Sequence, residues 1–414
     1  MIHVKHKFII FLFLTFIQLD VFSQVNDSSS FLAIPTGSYK IGTKEIFLTD
    51  SSRLESFSKK KKFREFSVKI WYPADINKNM TEEFYINSYP TEIIYETFKE
   101  KGIEFSFLDS IKHHKTHSYF CPPISSKKEN FPVLIFSSGY FFGMSDLYSC
   151  IMENLASNGY IVGCITHPYQ QPYLKFPNGE EIYFNRKKLK VAYFQLLIAH
   201  LLQFRKRDTQ KKKEIITRNT LRKLKAFDKT LKLWVDDSEF FINYLINKSK
   251  DRKNFFCKAD TSRIGVFGHS FGGAVSGQIC QFDKRIKAGI NLDCFQFGNI
   301  IDNPLPVPFM LIESSSYPDW NMGNEIIYSN AKSDFYKLSL LNARHFIFSD
   351  AAVIPFKNQK IISDFIGPIN GSIAINTINS YILGFFDLYL NKKSKKIVEE
   401  KINNTEMKFD FIHD

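Results

Sequence analysis

Residues 263–274 run Arg-Ile-Gly-Val-Phe-Gly-His-Ser-Phe-Gly-Gly-Ala, and no other stretch restricts the fold as much. Ile264, Val266 and Phe267 form a short apolar run, the pattern of a buried strand. It leads directly into Gly268-His269-Ser270-Phe271-Gly272, a G-x-S-x-G pattern at a strand-to-helix turn. A turn that tight crowds the residues two places either side of the serine. Gly268 and Gly272 lack the Cβ atoms that would collide there, and the strained backbone lifts the Ser270 hydroxyl off the sheet. Gly273 and small Ala274 follow, a context much rarer than the bare pattern. The first amides of the next helix then face the same point, where a developing negative charge would be stabilised.

Buried strands recur around this one. Residues 131–136, Phe-Pro-Val-Leu-Ile-Phe, are continuously apolar, as expected inside a parallel sheet covered on both faces. Leu147, Ile151 and Leu155 follow at helical spacing, with Asp146 as the expected N-cap and Gly159 as the stop. Residues 160–165 make another buried strand, and 263–268, 287–292 and 307–312 continue the alternation. Strand, helix, strand in this order predicts an α/β fold with a mostly parallel central sheet and helices on both faces. Upstream, residues 65–71 alternate apolar and polar as a half-buried strand closed by Pro73, after a solvated hairpin tip at Lys59, Lys60, Lys61 and Lys62. Residues 336–341 read as the last strand.

One segment breaks the alternation. Between about 173 and 232 no buried strand is expected, and the stretch reads as an inserted helical cap. Its second half carries Arg205, Lys206, Arg207, Lys211, Lys212, Lys213, Arg218, Arg222, Lys223, Lys225, Lys229 and Lys232, opposed by Asp208, Glu214 and Asp228. Leu221, Leu224 and Leu231 interleave, in the manner of an amphipathic helix. Such a segment is either a basic lid that meets an anionic lipid surface or acidic substrate, or a solvated helical face.

The N-terminus reads as an address. Lys5, His6 and Lys7 precede an apolar run at 8–17, and Val21-Phe22-Ser23 offers a cleavage site. Gln18 and Asp20 cut the run short of the roughly 20 residues a membrane span needs. Export to the periplasm or medium is expected, with a signal peptide at 1–23 and one catalytic domain at 24–414. No later run looks long and apolar enough to cross a bilayer. The formal charge of +13 suits an acidic partner, but an exported chain without aromatics among its basic residues is not expected to bind nucleic acid. Six cysteines are few for a disulfide scaffold, none is at C-x-x-C spacing, and neither a metal nor a cofactor is expected.

A serine nucleophile needs a base and an acid to orient it, in the chain order Ser, Asp/Glu, His for this kind of sheet. His345 follows the last predicted strand, whereas His413 stands one residue from the C-terminus. His269 sits inside the turn with its side chain directed away from the serine, and His167 has the wrong chain order but could line the pocket. Two acids compete, Asp293 after 288–292 and Glu313 after 307–312, and both stand at carboxyl ends of strands. The residues alone leave the two even. Backbone donors for an oxyanion are expected at Phe271 and in the loop Ser138-Gly139-Tyr140-Phe141.

With those residues in place, the chain resembles the plasma-type (isoform II) platelet-activating factor acetylhydrolases and their exported bacterial relatives, which are α/β-hydrolases. The resemblance rests on Val68-Lys69-Ile70-Trp71-Tyr72-Pro73, on 133–139, 155–162 and 262–274, on Gly289-Ile290-Asn291-Leu292-Asp293, and on His345-Phe346-Ile347-Phe348-Ser349-Asp350. It implies Ser270 as nucleophile, Asp293 as acid, His345 as base and Tyr140 as the second oxyanion donor. It also implies hydrolysis of short or oxidised acyl esters, typically of phospholipids, without calcium. The family usually has His-Gly where this chain has Ser138-Gly139. Related exported esterases of the dienelactone-hydrolase-like group act on simpler esters or polyesters, and a silent hydrolase fold used for binding is the remaining alternative.

Overall fold

The computed structural model describes residues 30–412, apart from 59, 100–101, 188–189, 192–193, 196–197, 199–208, 316–321 and 395–406. The expected signal peptide, Arg205, Lys206, Arg207 and His413 lie outside the described residues. The strands are β1 Lys40–Leu54, β2 Phe63–Ala74, β3 Glu82–Phe84, β4 Lys115–Phe120, β5 Phe131–Ser137, β6 Ile161–Thr166 and β7 Tyr173–Lys175. They continue with β8 Glu181–Tyr183, β9 Ala259–His269, β10 Ile286–Leu292, β11 Phe309–Ser314, β12 Phe335–Leu340 and β13 Met407–Ile412.

Eleven of them form one sheet in the order β13-β12-β11-β10-β9-β5-β6-β2-β1-β4-β3. The stretch from β6 through β5, β9, β10 and β11 to β12 is parallel, while β2 and β13 join its two sides antiparallel. The continuous apolar run in β5 now has its reason. Leu134 and Phe136 pack into the core on one face, and Phe131, Val133 and Ile135 into the core on the other. Helices Ser149–Ser157 and Gly371–Asn391 cover the first face; Lys225–Ser249 and Phe271–Phe282 cover the second.

Several expectations are corrected. The segment 173–232 does contain strands: β7 and β8 pair as a small hairpin with Tyr173, Leu174 and Ile182 buried. Among the described residues its basic half holds two helices, Gln210–Leu221 and Lys225–Ser249, and Leu221, Leu224 and Leu231 are buried at and after the bend between them. Residues 336–341 do not hold the last strand, because β13 pairs onto β12. The β2 strand is buried on both faces rather than half-buried, with only Phe63, Glu65 and Lys69 less than fully covered. Helix Gly371–Asn391 is long and apolar enough to cross a bilayer, but Ile375, Ile378, Ile382, Phe385 and Phe386 are buried against the sheet, as in a core helix. Asp146 does not cap the helix after it. It receives Lys69 Nζ at 2.7 Å, and the first amides of that helix are met by Asp350, which accepts from the N–H groups of Ser149 at 2.9 Å and Cys150 at 3.0 Å. The six cysteines are free.

Candidate active site

The carboxyl ends of β5, β9, β10 and β12 carry the candidate residues. Ser270 follows β9 and begins helix Phe271–Phe282 at φ 55°, ψ −129°, a strained conformation for a residue with a side chain. The flanking glycines are required by contact. A Cβ on Gly268 would lie 2.1 Å from the Gly272 carbonyl oxygen, and one on Gly272 1.8 Å from that of Ser137. The Ser270 amide donates to the Leu292 carbonyl at 2.8 Å, tying the turn to the end of β10.

Asp293 comes next after β10, also in the left-handed region at φ 59°, and its amide donates to Ile312 O at 2.8 Å. That turn delivers its carboxylate to His345, whose Nδ1–H donates to Asp293 Oδ2 at 2.7 Å. Ser314 supports the same carboxylate twice, from its amide at 2.7 Å and its hydroxyl at 2.8 Å. Burial alone would raise the Asp293 carboxyl; the hydrogen bonds from His345 and Ser314 outweigh it and hold the group below the usual carboxylate range. Glu313 is occupied elsewhere. Asn324 Nδ2 donates to it at 2.8 Å, Lys337 pairs with it at 3.5 Å, and burial pushes its carboxyl up. Between Ser270 Oγ and His345 no hydrogen bond is made. Such bonds are often long in an empty site and tighten only around substrate.

His269 turns away from the serine and ties the site together. Its ring lies 4.6 Å from that of His345, and its Nε2–H donates to the His345 carbonyl at 2.9 Å. Its Nδ1 accepts from the Tyr148 hydroxyl at 2.8 Å, and the Gly139 amide donates to that hydroxyl at 3.4 Å. Burial, and secondly the neighbouring His345, push His269 down to about 3, so the ring is neutral and both its nitrogens are used. The loop expected to hold the oxyanion donors and the loop carrying His345 are thereby joined through Tyr148 and His269.

The loop after β5 has a second support. Gln171 Nε2 donates to Ser138 Oγ at 2.7 Å, and Gln171 Oε1 accepts from the His167 amide at 2.8 Å. His167 does not line the pocket. It is fully buried, stacked on Trp234 with ring centroids 3.9 Å apart, and its Nδ1–H donates to Asp237 at 2.8 Å. Burial pushes His167 down to about 4, which leaves Nε2 to accept from Ser137 Oγ at 3.4 Å. Asp237 and Arg64 are both 0% exposed and paired at 2.6 Å, and Arg64 also reaches Glu55 at 2.6 Å. Ser137, His167 and Asp237 thus repeat the serine, histidine, carboxylate order beneath the surface, where burial leaves them no route to a substrate. Tyr140 itself packs its ring against Phe271 at 5.7 Å and Trp234 at 6.2 Å.

Sequence reasoning missed Ser314, Tyr148, Gln171 and Asp237. No local pattern marks them, since each acts on a residue far away in the chain. His113 and His117 stand four apart, a spacing that would serve a metal on a helix, but His117 lies in β4 and bonds Glu153 at 2.9 Å. Among the described residues no cluster of His, Cys, Asp and Glu could hold a metal ion.

Comparison with known proteins shows the family and the fold. A sequence model of the family described as platelet-activating factor acetylhydrolase, isoform II, matches residues 25–408. Platelet-activating factor acetylhydrolase of Cavia porcellus is 24% identical over 78% of this chain and 72% of its own length. That of Canis lupus familiaris is 25% identical over 63% of this chain and 58% of its own. A probable 1-alkyl-2-acetylglycerophosphocholine esterase of Arthroderma benhamiae is 23% identical over 64% of this chain and 62% of its own. Among solved structures, a ferulic acid esterase from Streptomyces cinnamoneus superimposes with a TM-score of 0.70 at 21% identity, covering 91% of this chain and 98% of that one. That likeness, with the parallel sheet and its two helical layers, establishes the α/β-hydrolase fold. The chain belongs to the platelet-activating factor acetylhydrolase isoform II family and is a carboxylic ester hydrolase.

Proposed function

We propose that the chain hydrolyses short or oxidised acyl esters, including those of phospholipids, through Ser270, His345 and Asp293. The observation that carries this reading is the 2.7 Å bond from His345 Nδ1–H to the doubly supported Asp293 carboxylate, at the strand ends beside the strained Ser270. Held in that tautomer, His345 presents Nε2 as the base. Ser270 Oγ attacks the ester carbonyl as His345 takes its proton, and the oxyanion is met by the Phe271 and Tyr140 amides. His345 then gives the proton to the leaving alkoxide. Water, activated by the same histidine, releases the acid from the acyl-enzyme. An organophosphonate is expected to add once, to Ser270, by intact mass and peptide mapping. Persistent labelling of Ser270→Ala would remove Ser270 from this role.

The same reading includes export, supported by the basic and apolar order of residues 5–17, and a cap at about 173–232. It also includes contact between the cap and an anionic lipid surface, supported by the exposed Lys211, Lys212, Lys213, Arg222, Lys225 and Lys229. Replacing Lys211, Lys212 and Lys213 by Gln is expected to weaken co-flotation with phosphatidylserine vesicles at low salt, and much less at high salt. Turnover of a soluble short ester should stay unchanged. Equal flotation of the two proteins at low salt would leave those lysines as a solvated face.

A further inference from the structure

The sheet order separates two sides of Ser270. His345 follows β12, and Asp293 follows β10, both to one side of β9. The Tyr140 loop follows β5, to the other side, with β6, β2 and β1 beyond it. On this second side lies a cavity of about 530 Å³, lined by Phe57 between β1 and β2, by Tyr140, and by Phe227 on helix Lys225–Ser249. Phe227 also packs on Phe271, with ring centroids 6.0 Å apart, so one residue of the cavity wall touches the residue that follows Ser270. Ala226, Thr230 and Leu233 also line it, at spacings of four and three that put all three on one face of the helix. Ser56, Val191, Gln195, Lys225 and Lys229 line the rest.

The direction of proton transfer decides what such a cavity would hold. In acyl transfer the leaving oxygen must receive its proton from the base, so the alcohol half of the ester faces His345. With the carbonyl oxygen directed at the Phe271 and Tyr140 amides, the acyl chain is the half that points away from His345, toward Tyr140. We propose that this cavity is the acyl-chain subsite, and that it takes a medium-length, mainly apolar acyl group well beyond acetyl. The proposal rests on Ser270 and His345 acting as nucleophile and base. Its volume lies within the range of about 300–1,000 Å³ that encloses drug-sized ligands, far more than an acetyl group fills. Ala226 and Leu233 both line the cavity, and Ala226 has the smallest side chain of the wall.

The test is a p-nitrophenyl ester series, acetate, butyrate, hexanoate and octanoate, each below its aggregation limit. In the unmodified protein kcat/KM is expected to rise about three- to fourfold for every methylene the cavity buries, until the chain reaches its end. Ala226→Trp fills the cavity. It should abolish the rise while leaving acetate turnover within about twofold, the behaviour of lost acyl binding and intact chemistry. Leu233→Ala should move the optimum to a longer chain, and it tests the same wall if the tryptophan variant fails to fold. A folded Ala226→Trp protein with an unchanged chain-length profile would overturn the subsite alone. No hydrolysis of any ester by the unmodified protein, with no phosphonate adduct, would overturn the subsite together with the catalytic reading beneath it.

Discussion

Asp293→Asn is expected to lower kcat by about 10⁴, the loss that follows when the histidine of a serine protease is left in the wrong tautomer. The geometry makes the loss specific. Asp293 Oδ2 accepts from both His345 Nδ1 and Ser314 Oγ, and Oδ1 accepts from the Ser314 amide. An asparagine must turn its NH₂ toward one of these donors. If it faces His345, Nδ1 becomes the acceptor, Nε2 holds the proton, and the base is disabled. If it faces the Ser314 amide, a buried donor is left unpaired, which costs about 1–3 kcal/mol. Glu313→Gln, one strand along, should leave kcat near normal, because Glu313 is engaged by Asn324 and Lys337 and not by His345. Both variants are compared by p-nitrophenyl butyrate kinetics and by thermal melting. An active Asp293→Asn beside a folded but dead Glu313→Gln would move the acid to β11.

The second large effect is on stability. Asp237→Asn is expected to cost about 3–5 kcal/mol, because it breaks a buried ion pair and leaves the Arg64 guanidinium with Glu55 as its remaining carboxylate. Arg64 has no exposed surface, and of its two carboxylate partners Asp237 is the one that receives both Nη2 at 2.6 Å and Nε at 3.1 Å. Arg53 reaches Asp237 as well, at 2.9 Å. Replacing both members, Arg64→Met with Asp237→Leu, should not recover the loss, since it leaves the buried Glu55 carboxylate and the His167 Nδ1–H without their partners. Urea titration of the single and double variants measures this. A single variant within about 1 kcal/mol of the unmodified protein would show that the network tolerates the missing charge. Because Asp237 holds His167, and His167 holds Gln171 against Ser138, the surviving folded fraction should also lose kcat more than KM.

What was legible in the sequence was whatever is local. Gly268 and Gly272 follow from the collisions a tight turn imposes, and the turn can be recognised without knowing what surrounds it. The apolar run in β5 needed only the rule that a strand buried on both faces has no polar side, and its residues do divide between two cores. The helical stretch after Asp146 was equally readable, but its cap was not. Asp350, two hundred residues on, meets the first amides, while Asp146 serves Lys69. Short strands such as β7 and β8 carry too few residues for periodicity to show, and β13 gains its place only by pairing with β12. Asp293 and Glu313 illustrate the divide most clearly. Both are acids at strand ends, and nothing in the local spacing of charges or apolar residues separates them; only the resemblance to a family favoured Asp293. The tertiary structure separates them physically, since a left-handed turn at Asp293 aims one carboxylate at His345 and Ser314, while Glu313 is held by Asn324 and Lys337. Hydrogen-bond direction and burial depend on residues far apart in the chain, so the sequence alone determined the turn and the longer buried strands, and packing decided which side chains meet.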